Sequence, residues 1–216
     1  MLLETAMRHL LIAPALLVLA ACGGGGGGST TPTTPPGPVT VDIPPSITLS
    51  GWGSTTGGGA LQAGGPTLYV GDLPNNDEAR AIVTFPITGI PAGATVTAAE
   101  LRIVQEVVQG TPYASFSWLA VESVDLEATF EAADLFGSAA LSVAGALSPF
   151  TSALETKTLD VLSTVLADRT AARDQTSLRF FFAGAVSLNG VADRAGFSLP
   201  SGDPTQMPVL RVTYQP

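Results

Sequence analysis

The chain of 216 residues contains one cysteine, one histidine and one lysine, and only 12% of its residues are charged. A single cysteine excludes an intramolecular disulfide, so a packed interior must stabilise the fold. Nine basic residues against eighteen acidic ones give a net charge of −9. Because nucleic-acid binding requires clustered Lys and Arg, this balance predicts no nucleic-acid partner.

Apolar residues, in contrast, are abundant. Hydrophobic residues make up 45% of the chain, and the mean hydropathy is +0.37. This composition provides enough material for a buried core and excludes a disordered polyelectrolyte.

The N-terminal segment has the pattern of an export signal. Arg8 precedes an apolar stretch from Leu10 to Ala21, which small residues follow. A membrane-spanning helix needs about 20 apolar residues, and this stretch is shorter and contains Pro14. We therefore predict a signal peptide over residues 1–21, with translation starting at Met1 or, as the cleaner n-region suggests, at Met7.

The residues Leu19-Ala20-Ala21-Cys22 resemble the lipobox of bacterial lipoproteins. The resemblance implies that Cys22 carries a diacylglycerol, becomes the first mature residue and anchors the protein in a membrane. An ordinary secretory signal cut near Ala21 is the alternative. By the same resemblance, Gly23 favours the outer over the inner membrane, and the following domain would lie in the periplasm or on the cell surface.

The segment after Cys22 predicts a disordered tether over residues 22–41. Gly23 to Pro38 reads GGGGGGSTTPTTPPGP, a flexible glycine tract followed by a stiffer Pro/Thr segment. No Gly-Lys-Ser/Thr follows the glycines, so a phosphate-binding loop is not indicated.

Residues 42–216 are predicted to form one domain with alternating apolar and polar positions. The stretches RAIVTFPI, TVTAAELRIVQEVV, SLRFFFAG and MPVLRVTY each place apolar residues on one strand face, with Gln105 as an inward polar residue. Helical spacing is limited to LDVLSTVLADR, where Leu159, Leu162, Val165 and Leu166 share a face, and a short turn at FEAADLF. The pattern predicts an all-β fold, a jelly-roll-like antiparallel β-sandwich with one or two short helices.

Two stretches, ARAIVTFPITGIPAGATVTAAELRI and PVLRVTYQP, resemble DNRLRE-type domains and related carbohydrate-binding-module-like jelly rolls. The matching positions are Arg80, Phe85, Ile90, Pro91, Ala92, Gly93, Ala94, Val96, Ala99, Leu101, Pro208, Leu210, Val212 and Tyr214. Pro86 replaces the usual aspartate, and the Trp-rich middle of many relatives is absent. The shared positions are mainly structural, so the resemblance implies a fold rather than an activity.

The predicted mature domain lacks most catalytic groups. His9 would leave with the signal peptide and Cys22 would be acylated, which excludes Ser-His-Asp, Cys-His and His/Cys metal chemistry. Lys157 is expected to be solvated rather than to act as a base. The remaining enzymatic hypothesis is a polysaccharide-cleaving carboxylate pair drawn from Glu100, Glu106, Glu122 and Asp125.

Sugar binding on a β-sandwich commonly uses exposed aromatic rings. The candidates for glycan contact are Trp52, Tyr113 and Trp118. Each also has a structural interpretation: Trp118, within a strand pattern, is expected in the core more often than on the surface, and no regular aromatic row is evident.

Calcium is the one cofactor that the sequence suggests. GDLPNNDEAR supplies the oxygen donors Asp72, Asn75, Asp77 and Glu78 within a short segment. The EF-hand spacing is missing, and the same residue types build surface turns, which is the interpretation we favour.

Three functions therefore remain open. The leading expectation is a non-catalytic, lipid-anchored module of the bacterial cell envelope that serves adhesion or envelope structure, with a polysaccharide or another envelope protein as partner. A glycan-binding module is the second, and an enzyme using paired carboxylates is the third.

Overall fold

The computed structural model describes residues 36–55, 62–184, 186–199 and 204–216. The predicted signal peptide, the lipobox with Cys22 and most of the tether lie outside the described residues. Within the described part, regular structure begins with a strand at Val39, inside the segment predicted as tether and before the expected domain start at residue 42.

Strands account for most of the regular structure. In chain order they are β1 (Val39–Ile43), β2 (Gly51–Ser54), β3 (Gln62–Ala63), β4 (Thr67–Asp72), β5 (Glu78–Pro86), β6 (Thr95–Gln109), β7 (Leu119–Val124), β8 (Ala140–Ala146), β9 (Thr156–Asp160), β10 (Gln175–Phe182), β11 (Asp193–Ser198) and β12 (Val209–Gln215). The helices among the described residues are α1 (Pro112–Phe116), α2 (Ala132–Phe136) and α3 (Leu162–Thr170), and Pro204–Gln206 forms a 3-10 turn.

The sheet has the order β1-β12-β6-β11-β4-β5-β10-β7-β8, with β2 also beside β5, β3 beside β2 and β9 beside β6. All pairings between these described strands are antiparallel. The long strand β6 links two parts of the sheet, because residues 95–102 pair with β12 and residues 105–109 pair with β11. The predicted all-β antiparallel fold is confirmed.

The main core lies on the inner faces of this curled sheet, and it contains the apolar positions that alternation predicted. Four strands supply many of these buried side chains: Ala81, Val83 and Phe85 of β5, Ala99, Leu101 and Ile103 of β6, Leu178, Phe180 and Phe182 of β10, and Leu210, Val212 and Tyr214 of β12. Gln105 is also fully buried, as expected for the inward polar residue of β6.

Strand β5 is buried on both faces, not only on the predicted one. Ile82 packs in a second core cluster with Val124, Leu126 and Leu135, beneath α2. Thr84, expected to point outward, is also fully buried and donates a hydrogen bond from its Oγ1 to Ser177 Oγ at 3.0 Å. The predicted alternation along β5 is correct. A two-layer sandwich would leave the second face of β5 exposed to solvent, but the segment around α2 covers that face.

The helices differ in detail from the prediction. The turn expected at FEAADLF is confirmed as α2, whose N-terminus has reciprocal capping bonds between Glu131 and Asp134. Leu159, expected on a helix face, lies in β9 and pairs with Leu101, and α3 begins only at Leu162. No helix among the described residues has the length and apolarity needed to cross a membrane.

Candidate functional site

Three side chains from different strands form a connected aromatic and cationic group. The ring of Trp52 on β2 meets the ring of Tyr69 on β4 edge to face, with centroids 5.2 Å apart. The guanidinium carbon of Arg194 on β11 lies 4.2 Å from the centroid of the same tyrosine ring. Both contacts are favourable for rings with a negative face.

The sheet register explains why these residues meet. Tyr69 pairs with Gly196 across β4 and β11, and a Cβ atom at Gly196 would lie 3.1 Å from Tyr69 Cε1. The missing side chain therefore leaves room for the tyrosine ring above the β11 backbone. Arg194 stands two residues away and on the same strand face as Gly196, because side chains in a strand alternate.

Polar groups border this cluster. Arg194 Nε donates a hydrogen bond to Gln109 Oε1 at 2.6 Å, and Thr67 Oγ1 donates to Glu106 Oε1 at 2.5 Å. We call Trp52, Tyr69, Arg194 and Gln109 the Trp52–Arg194 surface. Its three larger side chains are partly exposed, so it combines apolar rings with amide and guanidinium groups that can bind hydroxyl groups.

Tyr113, the second predicted glycan contact, belongs to a different cluster. Its hydroxyl donates to Gln105 Oε1 at 2.5 Å, and its ring packs edge to face against Phe182. Burial, with a smaller effect of the Glu155 carboxylate, raises the pKa of the Tyr113 hydroxyl far above its ordinary value. Tyr113 is thus half-buried in an internal network, separate from Trp52.

Trp118, the third predicted contact, was expected in the core and this interpretation is wrong. It immediately precedes β7, and 49% of its surface is exposed. Its backbone carbonyl accepts a hydrogen bond from Ala183 N, which fixes the main chain while the ring faces solvent. Trp118 therefore offers an accessible ring outside the Trp52–Arg194 surface.

The expectation of a solvated Lys157 is also wrong, since its side chain is fully buried. Lys157 Nζ donates to Pro149 O and Thr151 O at 2.7 Å each, and to Glu155 Oε1 at 3.0 Å. The ammonium group also lies 5.0 Å from the centroid of the Tyr113 ring. The ammonium group therefore donates all three of its protons to acceptors within the protein. These hydrogen bonds stabilise the segment from Pro149 to Glu155.

The residues proposed for calcium lie in and beside a surface turn. Leu73 N donates to Asp77 O at 2.9 Å, and Asn76 adopts a left-handed backbone conformation with φ 60°. Asn75 Nδ2 donates to Asp77 Oδ2, whereas Glu78 forms an ion pair with Arg80 at 2.7 Å. Among the described residues, no three Asp, Glu, His or Cys side chains converge as a metal-binding group.

The four candidate catalytic carboxylates have different partners. Glu100 pairs with Arg102, Glu122 with Arg179 and Asp125 with Arg173, while Glu106 accepts the bond from Thr67. None of the hydrogen bonds or ion pairs of the described residues joins two of these four carboxylates. Each of the four described carboxylates therefore has its own partner.

Tyr69 is the residue of the Trp52–Arg194 surface that sequence reasoning missed. Tyr69 lies in the strand TLYVGD, and no local sequence signal indicates that β2 brings Trp52 to it. The chain matches no known protein-family model, and no curated protein is significantly similar to it.

Proposed function

We propose that the protein is a non-catalytic, lipid-anchored module of the bacterial cell envelope that serves adhesion or envelope structure. The observation that carries this proposal is the sequence Leu19-Ala20-Ala21-Cys22, placed between an apolar stretch and a Gly/Pro-rich tether. A diacyl anchor and a tether of this kind hold a folded domain at a membrane.

Buried charged side chains form hydrogen bonds and ion pairs within the protein, which supports a non-catalytic role. Lys157 donates its protons to backbone and side-chain oxygens within one loop, and Arg179 binds Glu122 together with the carbonyl groups of Asp134 and Ser138. These are contacts that stabilise loops. Glu100, Glu122 and Asp125 form separate ion pairs with arginines, and Glu106 accepts a hydrogen bond from Thr67, so these carboxylates also have structural partners.

The two halves of β6 carry different contacts. Val39, where the chain enters the sheet, pairs with Tyr214, and Tyr214 pairs with Val96 near the start of β6. Phe150 is 52% exposed and lies in the loop whose carbonyl groups bind Gln105, in the second half of β6. Phe150 therefore offers an exposed apolar ring for contact with an envelope partner.

Detergent phase partitioning tests the anchoring directly. The mature protein is expected in the detergent phase, and protease treatment of intact cells then distinguishes a surface domain, which is digested, from a periplasmic one. Recovery of the mature protein in the aqueous phase would contradict the proposal.

A glycan-binding module is the second candidate, and the Trp52–Arg194 surface is the specific observation that favours it. Partly exposed rings beside Gln109 and Arg194 match the chemistry of sugar recognition, in which apolar ring faces stack and amide or guanidinium groups bind hydroxyls. Retention of the chain on an immobilised polysaccharide tests this candidate.

A further inference from the structure

The segment that leads into β11 contains an Asn-Gly pair. The asparagines of the chain are Asn75, Asn76 and Asn189, and only Asn189 is followed by a glycine, Gly190. Because glycine has no side chain to shield its backbone nitrogen, this nitrogen can approach the carboxamide carbon of the preceding asparagine. Both residues of the pair are exposed. The pair therefore has the composition and the accessibility that spontaneous deamidation requires.

The backbone on either side of Asn189 is left-handed. Leu188 has a φ of 57° and Gly190 has a φ of 73°. Such a φ is unfavourable for leucine, and the Leu188 side chain is 74% exposed, so its packing does not compensate for the cost. Hydrogen bonds to neighbouring segments hold the loop instead, among them the bond from Ser187 N to Asp72 Oδ2 at the end of β4, at 2.9 Å.

Two further hydrogen bonds act on the reacting groups of the pair, with opposite effects. Val191 N donates to Asn189 Oδ1 at 2.7 Å, which polarises the carboxamide and favours attack on its carbon. Gly190 N donates to Asn76 Oδ1 at 2.8 Å, which retains the proton that this nitrogen has to lose before it can attack. The carboxamide is thus prepared for the reaction, while the nucleophile is restrained by a residue from the turn between β4 and β5.

We propose that Asn189 is a deamidation site and that Asn76 restrains the reaction. Gly190 N attacks Asn189 Cγ and forms a new N–Cγ bond. The Cγ–Nδ2 bond then breaks, and ammonia leaves with the proton that Gly190 N has lost. Water opens the resulting succinimide at either of its carbonyl groups, which leaves aspartate or isoaspartate at position 189. Each event adds one negative charge to an acidic chain, and isoaspartate also inserts a methylene group into the backbone.

The test measures conversion at position 189 in the full chain, purified in detergent and incubated at mildly alkaline pH. Brief digestion with trypsin then releases residues 180–194, in which Asn189 is the only asparagine. Mass spectrometry of this peptide separates the asparagine, aspartate and isoaspartate forms, so it reports this reaction alone. The same peptide, incubated after release from the wild-type chain, lacks the bond from Asn76 and should convert faster than the folded protein.

Three variants test the role of Asn76. Asn76→Ala loses the acceptor and should convert about two- to tenfold faster than wild type, which is the effect of one hydrogen bond on a rate. Asn76→Asp keeps an acceptor oxygen and tolerates the φ of 60° at this position, so it should convert no faster than wild type. Asn75→Ala is the matched control, because Asn75 Nδ2 donates to Asp77 Oδ2 within the turn, and its rate should equal that of wild type.

Two results would overturn the proposal. If position 189 remains asparagine in both wild type and Asn76→Ala, Asn189 is not a deamidation site. If Asn76→Ala converts at the same rate as Asn75→Ala, or if Asn76→Asp converts as fast as Asn76→Ala, the acceptor oxygen of Asn76 does not restrain the reaction.

Discussion

The ammonium group of Lys157 lies 5.0 Å from the centroid of the Tyr113 ring and is completely shielded from solvent. This relationship joins α1 to β9. Gln105 strengthens the same junction, because its Nε2 donates to Thr151 O and Ala153 O while its Oε1 accepts the tyrosine hydroxyl. The only lysine of the chain is therefore the centre of a buried polar network.

Replacing Lys157 by Met should destabilise the domain by about 2–3 kcal/mol, because bonds from a charged donor to two carbonyl groups are lost and these acceptors are left unsatisfied. Urea denaturation measures the change as a lower transition midpoint. Arg102→Met is the matched control, since Arg102 is 40% exposed and lies 3.4 Å from Glu100, and it should cost less than about 1 kcal/mol. Equal losses in the two variants would contradict the role given to Lys157.

Gly110 should not tolerate a side chain. Its φ is +66°, and an added Cβ would lie 2.1 Å from Asp193 Oδ1 and 2.3 Å from Ala192 O. Gly110→Ala is therefore expected to lower the free energy of unfolding by at least about 2 kcal/mol. Gly93→Ala is the control, because nothing lies within 4 Å of the added atom and its φ is not positive. A Gly110→Ala variant as stable as the control would show that the β6–α1 junction has room for a methyl group at this position.

Asp168 should make the domain less stable as the pH rises. Burial raises the pKa of its carboxyl above the ordinary value of 3.8, although Arg173 favours the charged form. A raised folded-state pKa means that the folded protein holds the proton more tightly, so stability decreases as pH rises from about 3.8 through the higher folded-state value. Asp168→Asn remains neutral throughout. The stability difference between wild type and this variant should therefore shift in favour of the variant as the pH rises.

Urea midpoints from pH 3 to pH 7 measure this difference. Asp125→Asn serves as the control, since Asp125 also binds Arg173 but its side chain is 62% exposed. A stability difference that is independent of pH, or one that shifts in favour of wild type, would show that burial does not dominate at Asp168.

Trp52→Ala should reduce retention on a polysaccharide that binds the wild-type chain by about three- to tenfold, the effect expected from losing one aromatic contact. Trp118→Ala removes a more exposed ring outside the Trp52–Arg194 surface and should leave retention unchanged. Affinity electrophoresis in gels containing the polysaccharide compares the variants. If the Trp118 variant loses retention and the Trp52 variant does not, the glycan binds at Trp118 rather than at the Trp52–Arg194 surface.

The sequence predicted which residues form strands better than it predicted what packs against those strands. Alternation identified Ala81, Val83 and Phe85 as core residues because period two depends only on neighbouring positions in one strand. It did not reveal that Ile82 is buried as well, because the cover on that face comes from Leu135, far along the chain. Periodicity reports which residues share a face, whereas tertiary packing decides whether both faces are covered.

The candidate sites depended even more on distant contacts. Lys157 appeared to be solvated because a lone lysine between polar residues usually is, but the carbonyl groups of Pro149 and Thr151 enclose it. The Trp52–Tyr69 contact follows from how β2, β4 and β5 meet, which no local pattern encodes. Asp72 was named with its neighbours in one turn, although its closest polar contacts come from Ser187.

Metabolic labelling with radioactive palmitate in wild type and a Cys22→Ala variant is the most direct measurement of the proposed lipid anchor. Acyl chains provide most of the attachment energy, at about 0.8 kcal/mol per buried methylene, and the thiol of Cys22 is the predicted point of attachment. Wild type should take up label and be cleaved before Cys22, whereas the variant should remain unlabelled and unprocessed with the same melting temperature. Equal labelling of both chains would show that Cys22 does not carry the anchor.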